Sequence, residues 1–145
     1  LLDDNVPAHL RVSAFRNIRR EQDRGRAAVV VEFEPRSGVM PNGDFERQAA
    51  AMAGTLWIDE ASEHVIRVES CFRDDYSGTT RGSSLRIERT LFNNEIWLPS
   101  RAELAYRTNF VFGAASQWLA VVECTDHKKF KVETDSTIAL PDAGR

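Results

Sequence analysis

The residue types that most often carry chemistry are sparse in this chain and stand apart from one another. His9, His64 and His127 share no HxH or HExxH spacing, so no strand or helix face would present two imidazoles to one metal ion. Asp126 next to His127 is a fragment of a proton relay, but adjacent side chains on a turn point apart. Ser77, Ser83 and Ser84 are hydroxyl nucleophiles in a loop without the GxSxG elbow that would activate one of them. Asp74 and Asp75 beside Tyr76 offer oxygen ligands to a cation, and read better as solvated loop carboxylates. The run from Gly78 to Ser84, with Arg81, has the glycines of an anion cradle but lacks its lysine and its strand–loop–helix setting. A small hydrolase would need Asp, Ser and His drawn from distant segments into one pocket. The expectation is a non-enzymatic protein with no catalytic residue, no metal and no cofactor. Cys71 and Cys124 leave two readings open: half-buried thiols, or a bridge if their Cα atoms lie within about 7 Å.

Aromatic residues are the more informative group. Trp57, Trp97 and Trp118, with Tyr106, Phe110 and Phe112, fall on or beside segments of period-two alternation, the mark of half-buried strands. In residues 27–34, Val29, Val31 and Phe33 alternate with Glu32 and Glu34. Residues 12–21 pair with them through the turn Asp23-Arg24-Gly25-Arg26, although Leu10 to Arg20 also fits a short basic helix. Residues 35–44 form a loop, and 45–52 hold good helix formers that make either one helical turn or a loop leading directly into the next strand. Strands follow over 52–59 and 64–72, then a polar loop over 73–84 that is the best candidate for a mobile segment. A strand from Leu85 to Leu91 turns at Asn93-Asn94 into a long strand from Glu95 to about Arg107, which Pro99 must bend at a bulge or unpaired position. Strands at 117–125 and 129–135 complete the series, and 136–145 reads as a frayed tail.

Strands joined this briefly make a meander. The expected fold is mainly β, with little helix: a curved antiparallel sheet or open half-barrel forming a single domain over residues 1–145. A parallel α/β fold is excluded, because no helix-length segment separates the strands. The 145 residues are 42% hydrophobic and 28% charged, which is enough apolar material for a core and excludes long-range disorder. A net charge of −3 argues against nucleic acid as partner, and no apolar run reaches the length of a membrane span. With Leu1 in first position, the chain reads as the C-terminal part of a longer secreted protein.

Gly54-Thr55-Leu56-Trp57-Ile58-Asp59, followed by Val65-Ile66-Arg67-Val68-Glu69, resembles a recurring hairpin of the LolA-like group of outer-membrane lipoprotein-sorting and related envelope proteins. Residues 25–35, Asn94-Glu95-Ile96-Trp97-Leu98-Pro99 and residues 126–132 resemble other pieces of the same group, so that the likeness spans residues 12–134. It implies an unclosed antiparallel barrel whose concave face takes acyl chains or shelters a signalling peptide. It also implies a periplasmic or otherwise extracytoplasmic location. No functional residue of the carriers carries over. The expected function is binding of a lipid acyl chain, lipoprotein or apolar peptide. Leu56, Ile66, Val68, Phe72, Leu85, Ile87, Leu104 and Tyr106 are the expected contacts, each being on the apolar side of its strand. The alternative is a sensor or interaction module completed through a strand edge by another envelope protein or a homodimer.

Overall fold

The computed structural model describes residues 6–109 and 115–128. Seven strands form one open, uncurled antiparallel sheet in strict sequence order: β1 (Ser13–Asp23), β2 (Arg26–Pro35), β3 (Met52–Asp59), β4 (Val65–Phe72), β5 (Ser84–Phe92), β6 (Ile96–Asn109) and β7 (Ala115–Glu123). Two short helices, α1 (Val6–Val12) and α2 (Gly43–Ala50), complete the described fold. The expected mainly-β meander is therefore present. The strand expected over 129–135 and the tail over 136–145 lie outside the described residues, as do Phe110 and Phe112.

Two connections show the turn chemistry directly. Arg24-Gly25, the whole of the β1–β2 loop, and Asn93-Asn94, the first two of the three residues between Phe92 and Ile96, all have positive φ, between 48° and 79°, as tight hairpin turns that match strand twist require. Pro99 sits at a register shift: Glu88 faces Arg101 while Arg89 faces Pro99, so Ser100 is the extra residue. Gly54 has a different role. A Cβ there would strike the Glu69 carbonyl oxygen and come within 2.7 Å of Ser70 Cα, so only glycine allows β3 and β4 to pack this closely.

The helices depart from expectation. Residues 43–50 make two turns instead of one turn or a loop, helped by Glu46, which accepts the Asn42 backbone N–H at 2.6 Å. The helical alternative for Leu10 to Arg20 is replaced by a helix that ends at Val12 and a strand that starts at Ser13. Arg11 clamps the two helices, donating to the Glu46 carboxylate and, at 2.9 Å, to the Met40 carbonyl. Ala8, Val12 and Ala49 pack between them.

The register assigns every strand residue to one of two faces. The helix face carries Phe15, Val31, Phe33, Leu56, Ile58, Val68, Phe72, Leu85, Ile87, Ala102, Leu104, Ala120 and Val122. At one end of it Phe33, Ala51, Met52 and Phe72 form a core cluster next to the helices. The opposite face is charged over β4–β7, where signs alternate in register. Arg67, Glu88, Arg101 and Glu123 make one row, and Glu69, Arg86 and Glu103 the next. Short ion pairs such as Arg86–Glu88 (2.6 Å) and Arg101–Glu123 (2.6 Å) join them. Opposite charges placed directly across strands select this register more than they add stability.

At the hairpin-turn end the charged face has its own apolar cluster: Ala28, Val30, Trp57 and Ile66, with Trp97 against it. Simple alternation along β2 therefore accounts for only half of its buried residues, because Ala28 and Val30 are fully buried on the side expected to be polar. Asp59, only 1% exposed, closes this end. It accepts two bonds from Arg26 (2.6 and 3.0 Å) and two from Ser62, whose Oγ also accepts the Trp97 indole N–H. These bonds, the Arg26 pair first, hold the Asp59 carboxyl well below the usual carboxylate range.

Candidate functional site

A groove of about 310 Å³ opens on the helix face beside α1. Strands β1 to β4 build its floor from Phe15, Val31, Phe33, Leu56, Ile58, Val65 and Val68, and α1 supplies His9 and Leu10 as one wall. The floor is apolar because these positions share one side of the pleat on four adjacent strands, a direct consequence of period-two alternation in register. Val65 joins them through a bulge. Trp57 faces Arg67 but Ile58 faces Val65, so β4 gains a residue there.

Polar groups stand only at the margin. Arg89 donates to the Val65 carbonyl at 2.8 Å. His9 stacks edge-on against Phe33, with ring centroids 5.1 Å apart, and its Nδ1 lies 3.2 Å from Ser13 Oγ. Burial holds the His9 imidazole below its ordinary value, so it is neutral at pH 7. A neutral imidazole and one arginine around an aliphatic floor suit an apolar guest.

The eight expected contact residues separate into four groups. Leu56 and Val68 line the groove. Phe72 is buried with Phe33, Ala51 and Met52, so it supports the groove without lining it. Ile87, Leu85, Leu104 and Tyr106 continue the same face across β5 and β6, and Tyr106 donates its hydroxyl to the Gly78 carbonyl at 2.6 Å. Ile66 is the correction. The bulge at Val65–Arg67 turns it onto the opposite face, where it packs with Ala28, Val30 and Trp57.

Val31, Phe33 and Ile58 belong to the groove for the same alternation that placed Leu56 there, and pairing the strand patterns would have found them. His9 and Leu10 carry no such signal, since α1 is a seven-residue helix of ordinary composition.

The other residues considered for chemistry stay apart. His64 bonds the Ser62 carbonyl through Nδ1, and His127 stacks on Phe92. Among the described residues, no group of three His, Cys, Asp or Glu side chains could hold a metal ion. Cys71 and Cys124 are both free and half-buried. The 73–83 loop, expected to be mobile, is anchored. The Phe72 backbone N–H donates to the Ser83 carbonyl and the Phe72 carbonyl accepts the Gly82 N–H, Tyr76 pairs with Thr79, and the buried Ser83 Oγ accepts the Arg107 N–H. No helix of the described residues is long and apolar enough to cross a membrane.

No protein-family model, curated protein or solved structure matches this chain.

Proposed function

We propose that this chain binds, without chemistry, one acyl chain of a lipid or lipoprotein, or an apolar peptide side chain, in the groove beside α1. The extracytoplasmic setting is part of the same proposal and rests on the resemblance of the Gly54–Asp59 hairpin to envelope proteins. The observation that carries the reading is the unbroken aliphatic floor of Val31, Leu56, Ile58, Val65 and Val68, walled by Leu10 of a helix that the sheet does not need for its own pairing.

Magnitudes narrow the ligand. About 310 Å³ is at the small end of ligand pockets, so the groove takes part of one chain and not a whole multi-chain lipid. Eight buried methylenes would contribute roughly 6 kcal/mol. Association costs at least about 4 kcal/mol, so the expected affinity is modest and rises steeply with chain length until the groove is full.

Titration of the protein with a fluorescent fatty acid, and displacement by unlabelled acids of increasing length, tests this. Saturable binding that Leu56→Trp abolishes, by filling the groove while leaving the far-ultraviolet circular dichroism unchanged, is the expected result. Uptake unaffected by Leu56→Trp would remove the groove from the account.

A further inference from the structure

The two edges of the sheet are built differently. β1 carries Arg16, Arg19, Arg20 and Glu21, and it is broken by a register shift between Arg16 and Arg19 with Asn17 at φ 52°. Charges and a bulge are the devices that keep an edge strand from pairing with another chain. β7 has neither. Its register with β6 is unbroken from Arg101–Glu123 to Asn109–Ala115, and Glu123 is its single charge. Trp118, Leu119, Val121 and Val122 are 64%, 70%, 44% and 56% exposed. Among the described residues no strand pairs with the outer edge of β7, which leaves large apolar side chains on both faces and a row of backbone donors without a partner strand there.

We infer that β7 pairs with β7 of a second copy, antiparallel about a two-fold axis at Ala120, joining two seven-stranded sheets into one. The direction of the backbone groups allows it. Cys124 N–H bonds the Ser100 carbonyl on β6, so by alternation Gln117, Leu119, Val121 and Glu123 turn their N–H and C=O groups to the free edge. Centring on Ala120 uses the whole of residues 117–123. It sets Leu119 against Val121 of the second copy and Trp118 against Val122, an aromatic on a β-branched partner.

The charges select the same register. Each Glu123 falls opposite Gln117 of the other copy, so the two carboxylates stay at opposite ends of the seam. Beyond that Gln117, in the same row, stands Arg107. The order Arg67, Glu88, Arg101, Glu123 then meets Gln117 and Arg107 of the second copy, with no like charges facing across the seam. On the other face, Leu104 and Ala120 of both copies make one apolar strip. A seam of one strand pair is small, so the dimer is weak and depends on concentration.

Sedimentation velocity of the full chain over a concentration series is the test. A monomer–dimer equilibrium is expected. Val121→Pro removes an N–H that points away from β6, so it weakens the dimer at least about tenfold with β6–β7 intact. Leu119→Glu and Val121→Lys test the register. Each alone weakens the dimer, and together in one chain they restore it, because the two new charges face each other across the seam. A monomer at every concentration would overturn the proposal and point to β7 being covered within the chain. A dimer indifferent to Val121→Pro, or weaker in the double variant than in either single one, would overturn it equally.

Discussion

Strands β1–β4 and strands β5–β7 belong to one continuous sheet but solve burial in opposite ways. In the first half both faces are covered. The helices and the Phe33–Phe72 cluster lie on one side and the Trp57–Ile66 cluster on the other. Among the described residues fifteen apolar ones are buried, and only Ile87 of these lies beyond β4. In the second half neither described helix covers the helix-side face, and the other face is a grid of alternating charges. Leu104, Trp118, Leu119, Val121 and Val122 stand in solvent. The difference shows where a meander obtains its stability and where it keeps surface for contact. Burial at roughly 25 cal/mol per Å² is concentrated in the half that carries the groove. The half without cover is held by its backbone ladder and cross-strand pairs.

The two tryptophans give the widest contrast. Trp57, 6% exposed beneath the Arg67 guanidinium at 3.6 Å, should cost about 3–5 kcal/mol when changed to alanine. Trp118→Ala in dilute solution should change stability by less than about 0.5 kcal/mol. Urea unfolding of the two variants measures both, and similar losses would erase the distinction between the halves.

Asp59 sharpens it at the hairpin-turn end. Asp59→Asn exchanges a charge-assisted pair with Arg26 for neutral bonds and should cost about 1–3 kcal/mol. Because the folded carboxyl is held below its unfolded value, its contribution is complete above about pH 4 and is lost as pH falls below that. Wild-type stability should therefore fall with acid in this range more steeply than that of the variant.

The smallest effect belongs to His9. Its folded-state value is lowered, so stability is complete above the ordinary imidazole value of about 6.5 and declines as pH falls through it. His9→Phe should flatten that decline in urea midpoints taken on either side of this pH. An identical slope would mean that the α1 wall does not bury this ring.

Much of the fold is legible in the sequence because meander strands are local. Arg24-Gly25, Asn93-Asn94 and Pro99 mark two turns and a bulge through backbone constraints that act within a few residues. The groove is half legible. Leu56 and Val68 follow from alternation, but Ile66 does not, since one inserted residue at a bulge reverses a side chain without a glycine or proline to announce it. Ala28 and Val30 were hidden because their burial depends on Trp57 and Trp97 arriving from distant strands. Helix α1 was hidden because seven residues carry too little periodicity, and its position comes from Arg11 meeting Glu46, thirty-five residues away.

A photoreactive fatty acid, bound to the full chain and cross-linked, would show directly which half holds the ligand. The expected adducts fall on peptides carrying Leu10, Leu56 and Val68, and unlabelled acid competes them away. Adducts on Leu104, Trp118 and Val122 instead, or none that compete, would contradict the assignment of the groove as the binding site.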